Sequence, residues 1–423
     1  MTTAFPSFEG GLTLGQGVQV TGVQRVVDRF FEAELLSLHG SVGFTEAESS
    51  ALAGVQESFP ISGGIDAALS NFFSALSDLA NNPSGLQERV ALIGKAQALG
   101  ETLRQTRASL TAAQHNLDNN LDSAAHGLNQ ALSQIAALNR QIALNESANQ
   151  PANDFRDQRQ VLLQDVTRLT GATTREDPDG QVTVIADGLL LVGEGRAATL
   201  DTSQLAPSGL HMVMYQTPDG LSFDATTLLR GGEIGATLNM RDTQVPAFTT
   251  TLDQFAKTLV DEVNIQHALG FDLTGTAGGS FFTPIAAVAG AAAVVQVDPT
   301  LAADPRLIAA AQTSTGVPGD NRNALALVNL QSTTFAALGG MTLKDHFLSL
   351  LGNVGSSAQT IDNSLNFQKS LLAQVQARRE SVSGVNIDEE MTKLILFQRS
   401  FEASSRLVRT ADDMYQTLIS MVR

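Results

Sequence analysis

Residues 103–142, LRQTRASLTAAQHNLDNNLDSAAHGLNQALSQIAALNRQI, decide the fold. Steps of four and three residues through this stretch meet apolar side chains almost without exception. The positions are Leu103, Arg107, Leu110, Gln114, Leu117, Leu121, Ala124, Leu128, Ala131, Ile135, Leu138 and Ile142. Only two of them are polar, and so long a seam is typical of a coiled coil. A helix over about 84–146 would span roughly 90 Å at 1.5 Å per residue, so the sequence predicts a rod.

Shorter elements flank the rod. The alternating run VQVTGV at 18–23 predicts a strand, and stripes at helical spacing predict helices at about 26–38, 44–57, 65–80 and 154–170. Asn81-Asn82-Pro83 and Asn149-Gln150-Pro151 mark the two ends of the rod. Residues 1–170 are therefore predicted to be the amino-terminal part of a helical rod domain.

The character of the sequence changes after residue 170. Glycine, threonine and Asp-Gly turns separate short alternating runs, which predict strands at 181–186, 189–192, 211–216 and 235–240. We expect residues 171–240 to form an inserted β domain, carried by the helices at their far end.

Helical periodicity returns in residues 241–423, the predicted carboxyl-terminal part of the rod domain. Helices are expected at 247–269, 320–336, 341–382 and 387–423, and a strand at 292–297 inside a small irregular or β excursion over 282–318. The fold class is thus mainly α with an inserted all-β domain, in which both chain ends form long coiled-coil-like helices that pack together.

Composition limits the function. The chain of 423 residues lacks cysteine, which removes disulfides, thiolate metal sites and cysteine nucleophiles. Its formal charge of −17 argues against a nucleic-acid partner and against anionic membrane surfaces. The first residues lack the pattern of a cleaved signal peptide, and no apolar run is long enough for a membrane-spanning helix.

Motifs that hint at chemistry have plainer structural interpretations. His115 and His126 stand about 16 Å apart on one helix, too far to hold one metal. Gly193-Glu194-Gly195 is followed by a β-rich stretch, so a hairpin turn is favoured over a dinucleotide site, and Asp177-Pro178-Asp179-Gly180 is interpreted as a turn rather than a calcium loop. We expect no catalytic residue, cofactor or metal.

The last helix carries the candidate functional residues. Its predicted assembly seam consists of Met391, Leu394, Gln398, Phe401, Ser405, Val408, Tyr415, Ile419 and Val422. Polar residues within the seam, such as Gln398 and Ser405, would set the register of the packed helices. Asn386 is predicted to cap the helix and Glu389 to complete a capping box, which explains the acidic cluster at 388–390 better than paired catalytic carboxylates do.

The carboxyl-terminal stretch 383–423 resembles the terminal signature of flagellar axial proteins. The resemblance rests on Gly384-Val385-Asn386-Ile387-Asp388-Glu389-Glu390 and on Phe397-Gln398-Arg399. Residues 153–184, 231–282 and 319–331 extend it, in the same order, to the hook-associated protein 1 family. The family's longer amino-terminal helix is not visible here, and the region between Phe282 and Gly319 is short.

The resemblance implies a structural component of the bacterial flagellum, a self-assembling junction between hook and filament with flagellin-like architecture. It implies type III export, a cytoplasmic chaperone on the carboxyl-terminal helix, and an extracellular ring of copies. Its partners would be other copies, hook protein, and an adjacent hook-associated protein or flagellin. The alternatives are a secreted helical adhesin or translocator-like protein and, less favoured, a wall hydrolase.

Overall fold

A computed structural model describes residues 27–60, 63–148, 150–383 and 387–421, with short strand segments between 2 and 19. The helices are α1 (Arg29–Glu57), α2 (Ile65–Asn81), α3 (Leu86–Ser147), α4 (Asn153–Thr170), α5 (Gly232–Asn239), α6 (Val245–Ala268), α7 (Pro299–Ala303), α8 (Arg322–Asn329), α9 (Leu343–Ser383) and α10 (Ile387–Met421). The first strands are β1 (Thr2–Thr3), β2 (Ser7–Glu9), β3 (Leu12–Leu14) and β4 (Val18–Gln19). The others are β5 (Thr173–Glu176), β6 (Val182–Ala186), β7 (Leu189–Gly193), β8 (Arg196–Ala197), β9 (Thr199–Asp201), β10 (Met214–Gln216) and β11 (Ser222–Asp224).

Helix α3 is the spine of the molecule. It runs unbroken for 62 residues, which confirms the predicted rod. The leucines and isoleucines of its seam are buried, and the two polar positions are paired. Arg107 Nε lies 3.5 Å from Asp253 Oδ2, and Gln114 Nε2 donates to the Arg241 carbonyl at 2.8 Å. The seam is covered by several shorter elements in turn, because α2, α6, α4 and the strands each contact a different part of it.

Two hydrophobic cores are stacked along α3. The first contains α3 residues up to Leu117 and packs them against α2, α6 and the start of α9. The second begins at Leu121 and includes α4, α5 and the inner faces of β6 and β7. One turn of α3 separates them.

The strands of residues 173–224 form two antiparallel sheets, in the orders β5-β6-β7-β8 and β11-β10-β9. They are fastened to α3 by two asparagines that pair with strand backbone. Asn139 donates to the Val182 carbonyl and Asn129 to the Leu200 carbonyl, each at 2.8 Å. Both predicted turns are present, one between β5 and β6 and one between β7 and β8. The exact domain boundaries stay a prediction.

The expectation that the strands lie at the far end of the helices is wrong. Arg29, which begins α1, lies 4.0 Å from Glu176 of β5, and Arg379 near the end of α9 pairs with Glu32 of α1. The strands therefore lie at the end where α1 begins and α9 finishes. The reason is the length of α3. The chain leaves the strand end along α1, and α3 then runs back past the whole of α1 before the chain enters the strands.

The strand predicted at 235–240 is also wrong, because residues 235–239 belong to α5 and Met240 begins a π-helical turn. The helix is buried on nearly all sides between α1, α3 and α4, so its sequence lacks an amphipathic stripe. Glycines permit its close approach to α4. A Cβ at Gly232, where φ is +61°, would stand 2.4 Å from the Thr170 nitrogen.

Three other predictions differ from the structure. The helices predicted at 26–38 and 44–57 are one helix, α1. Residues 292–297 form no strand: a 3-10 turn occupies Ala291–Ala293, and Val297 makes an isolated bridge with Phe282. The helix predicted at 320–336 is confined to α8. Of the strand predicted at 18–23, only Val18–Gln19 lies within the described residues.

Helices α1 and α9 join the two parts of the chain. They run antiparallel and exchange polar contacts along their length. Thr45 donates to Gln368 Oε1 at 2.8 Å, Ser49 donates to Asp362 Oδ1 at 2.8 Å, and Lys369 lies 2.6 Å from Glu46.

Candidate assembly surface

Helix α10 exposes its apolar side chains. Leu394 is 58% exposed, while Phe401, Tyr415 and Ile419 are each 67% exposed. Side chains of this kind gain roughly 1.5–3 kcal/mol each when they are fully removed from water. Exposed apolar surface of this extent is typical of sites that contact other proteins or membranes.

The predicted seam residues lie on one side of α10. Met391, Leu394, Phe401, Val408, Tyr415 and Ile419 follow one another at spacings of three, four or seven residues, which return to the same helix face. Gln398 is exposed and Ser405 is half-buried. Glu389 lies in the first turn, whereas Asn386 and Val422 lie outside the described residues, so the predicted cap stays a prediction.

A second apolar stripe was missed by the sequence analysis. It consists of Leu396, Leu407, Met414, Leu418 and Met421, all exposed by 59% or more. The spacings of four, three and seven residues that revealed the first seam also connect these positions, with Ala403 between the first two. Together the two stripes cover about half of the helix circumference, which is wider than the seam of a two-stranded coiled coil.

The opposite side of α10 is charged. Arg399, Glu402, Arg406, Arg409 and Asp413 occupy the remaining arc at helical spacing. The helix is therefore amphipathic, and its apolar half has the width needed to contact more than one partner helix.

The buried charged groups elsewhere serve the fold. Asp118 of α3 accepts from Arg241 Nη1 at 2.6 Å and lies 2.7 Å from His211 Nδ1. Burial disfavours the charged Arg241, but the carboxylates of Asp242 and Asp118 outweigh it and raise the pKa of Arg241. Arg241 and His211 share the two oxygens of Asp118, so this cluster connects α3 to the segments that carry His211 and Arg241.

Arg89 is a second buried cation that the sequence did not reveal. It is 1% exposed, and its guanidinium donates to the Ile308 and Pro83 carbonyls at 2.5 and 2.6 Å. Burial lowers the pKa of Arg89 to about 10, so it remains charged at neutral pH. Arg89 therefore connects α3 to the segment just before it, at Pro83, and to the distant segment at Ile308.

Neither a metal-binding cluster nor a membrane-spanning helix is found among the described residues. Within 27–60, 63–148, 150–383 and 387–421, no group of three His, Asp or Glu side chains is placed to hold a metal ion. The same residues include no helix that is both long enough and apolar enough to cross a membrane. A groove of about 670 Å³ between α1 and α3 is lined mainly by small residues such as Gly43, Ala47, Ser109 and Ala113.

Comparisons with known families agree along the chain. Residues 56–282 match the model of the flagellar hook-associated protein FlgK helical domain. Residues 377–421, which include α10, match the model of the flagellar basal body rod FlgEFG protein C-terminal region.

Individual relatives extend the match to the whole chain. The chain is 27% identical to flagellar hook-associated protein 1 of Bacillus subtilis, covering 96% of this chain and 86% of that protein. It is 24% identical to flagellar hook-associated protein 1 of Escherichia coli, covering 100% and 92%. The flagellar hook junction protein FlgK of Burkholderia pseudomallei has the same fold, with a TM-score of 0.73 over 83% of this chain and all of that one, at 18% identity.

Proposed function

The chain belongs to the family of flagellar hook-associated proteins defined by the FlgK helical domain, and we infer that it is a structural component of the flagellum at the hook–filament junction. The family assignment favours this function over a secreted adhesin or translocator. The work of such a component is binding between subunits, and we propose that it carries out no catalytic turnover.

The observation that carries the proposal is the contrast between the covered seam of α3 and the uncovered apolar half of α10. Leu128 in α3 is fully buried, whereas Leu394 in α10 is 58% exposed. A helix with an uncovered apolar half is stabilised when other helices cover it. We therefore assign α10 to assembly, with its two stripes packed against helices of neighbouring subunits.

The partners proposed for this surface are other copies of the chain in a ring, hook protein on one side, and an adjacent hook-associated protein or flagellin on the other. The polar seam positions Gln398 and Ser405 would fix the register between helices. Before export by the type III route, a cytoplasmic chaperone would cover α10, because its exposed leucines and aromatic residues would otherwise associate nonspecifically.

A charge placed in the seam tests this role. We expect Leu394→Asp or Phe401→Asp to abolish incorporation into flagella, because each buries an unpaired carboxylate on assembly. Cells that lack the gene and carry either variant should form hooks without filaments and release the variant into the medium. Ser420→Asp, seven residues after Asp413 on the charged side of α10, is the matched control and should support normal filaments.

Stability separates an assembly defect from a folding defect. Since Leu394 contributes to neither core, Leu394→Asp should unfold at the same denaturant concentration as the natural chain. Normal filament growth with Leu394→Asp would refute the role given to α10.

A further inference from the structure

The two cores share no residue. On α3 the first core ends at Leu117 and the second begins at Leu121. On the segment that runs from α5 into α6, the second core ends at Leu238 and the first begins at Met240. The boundary therefore lies at one level of the molecule on both segments.

Charged groups fill this boundary. Asp118 and Arg241 are 3% and 2% exposed, and their ion pair stands where apolar side chains would otherwise join the cores. Arg241 also donates to Asp242 at 2.8 Å and to the His211 carbonyl at 2.8 Å. Here a few directional bonds, and not interdigitated apolar side chains, connect the two cores.

Two of the crossing helices are irregular at this level. Met240–Gln244 forms a π-helical turn between α5 and α6, and Pro246 is the second residue after it. π-helical turns and prolines are recognised causes of bending in helices. Helix α1 carries Gly40 and Gly43 at this level, and glycine within a helix also favours bending.

Open space lies on both sides of the boundary. The groove between α1 and α3, of about 670 Å³, reaches from Gly54 past Leu117 to Asn120. A second cavity of about 390 Å³ lies beside Asn239 and Asp242. These spaces leave room for one core to tilt without compressing side chains of the other.

We propose that this polar layer, defined by Asp118, His211, Arg241 and Asp242, is a hinge between the two cores. The unit that carries the strands tilts against the unit of α2, α6 and α8. The π-helical turn and the glycine-containing part of α1 absorb most of the change, and α3, which crosses the layer unbroken, curves with it. The α1–α9 contacts near this level are polar pairs, such as Thr45 with Gln368, which can exchange partners as the helices slide.

Distances between spin labels test the hinge in the full chain. Because the protein has no cysteine, pairs of introduced cysteines can be labelled without side reactions. The pair Ser332→Cys with Leu144→Cys spans the hinge, while Lys95→Cys with Ser332→Cys and Leu144→Cys with Ser208→Cys each stay within one unit. A tilt of about 10° would move Leu144, roughly 39 Å along α3 from Asp118, by about 7 Å.

We expect double electron–electron resonance to give a broader distance distribution for the spanning pair than for either control pair. Joining the cores with Asp118→Leu and Arg241→Met together should narrow it towards the width of the controls. A spanning distribution as narrow as the controls in the natural sequence would overturn the hinge. That comparison decides even when the double variant does not fold, and it is independent of assembly by α10.

Discussion

Helices α3 and α10 carry the same periodic pattern and have opposite surroundings. Each places apolar residues at steps of three and four, interrupted by occasional polar ones. In α3 the chain itself covers the seam, whereas in α10 the apolar half faces solvent. The comparison teaches that periodicity identifies a face that needs a partner, while the location of the partner depends on the rest of the fold.

The largest expected effect comes from removing the same side chain in both helices. Leu128→Ala should lower the free energy of unfolding by about 2–5 kcal/mol, because it leaves a cavity in the second core. Leu394→Ala should change it by less than about 0.5 kcal/mol, because Leu394 is exposed. Urea titrations followed by circular dichroism measure both. Equal losses would mean that the two helices are packed alike.

Helix α5 covers part of α3 only because it approaches α4 closely. A second substitution, at Gly232, disturbs that approach. Gly232→Ala places a Cβ against the end of α4 and forces alanine into the left-handed region, which alone costs about 1–2 kcal/mol. Thermal unfolding should therefore begin at a lower temperature. Gly127→Ala in α3 is the control: nothing lies within 4 Å of the added Cβ, and we expect a gain of about 0.5–1 kcal/mol.

Lowering the pH should affect the first core and α10 differently, because His267 is buried in the first core and α10 contains no histidine. Burial lowers the pKa of His267 below its ordinary value of 6.5. The unfolded chain therefore takes up a proton at a higher pH than the folded chain. The stability linked to this group is complete above pH 6.5 and falls as the pH decreases towards the folded pKa.

The neutral ring explains the direction of this effect. His267 Nε2 accepts from the Ala309 nitrogen at 2.9 Å while Nδ1 lies 2.7 Å from the Gly279 carbonyl, and a protonated ring loses the first bond. Denaturant midpoints between pH 7.5 and 5 should decrease for the natural chain and less steeply for His267→Gln. An unchanged slope in the variant would contradict this assignment.

Much of the helical framework could be predicted, because each long helix needs only its own local pattern. The bounds of α3 and α4 lie within two residues of those expected. Helix α5 could not be recognised from GATLNM, since a helix buried on nearly all sides has no polar face to give the period. The ion pair of Asp118 with Arg241 joins residues 123 positions apart, so no local pattern signals it.

The assembly surface was predictable in part. The first stripe of α10 follows from spacing alone, and the second stripe, from Leu396 to Met421, follows from the same rule applied to the next face. The sequence could not indicate that most apolar side chains of α10 stay exposed among the described residues, where β4 is an element that contacts the helix, because exposure depends on where the other elements end. The position of the strands beside α1 likewise depends on the full length of α3.

Amide hydrogen exchange of the isolated chain and of the assembled form shows whether α10 becomes covered only when subunits assemble. In the isolated chain, amides of 103–142 should exchange only by global unfolding, while those of 391–421 exchange orders of magnitude faster. On assembly, the α10 amides should become protected and those of α3 should change little. Protection of α10 equal to that of α3 in the isolated chain would contradict the account.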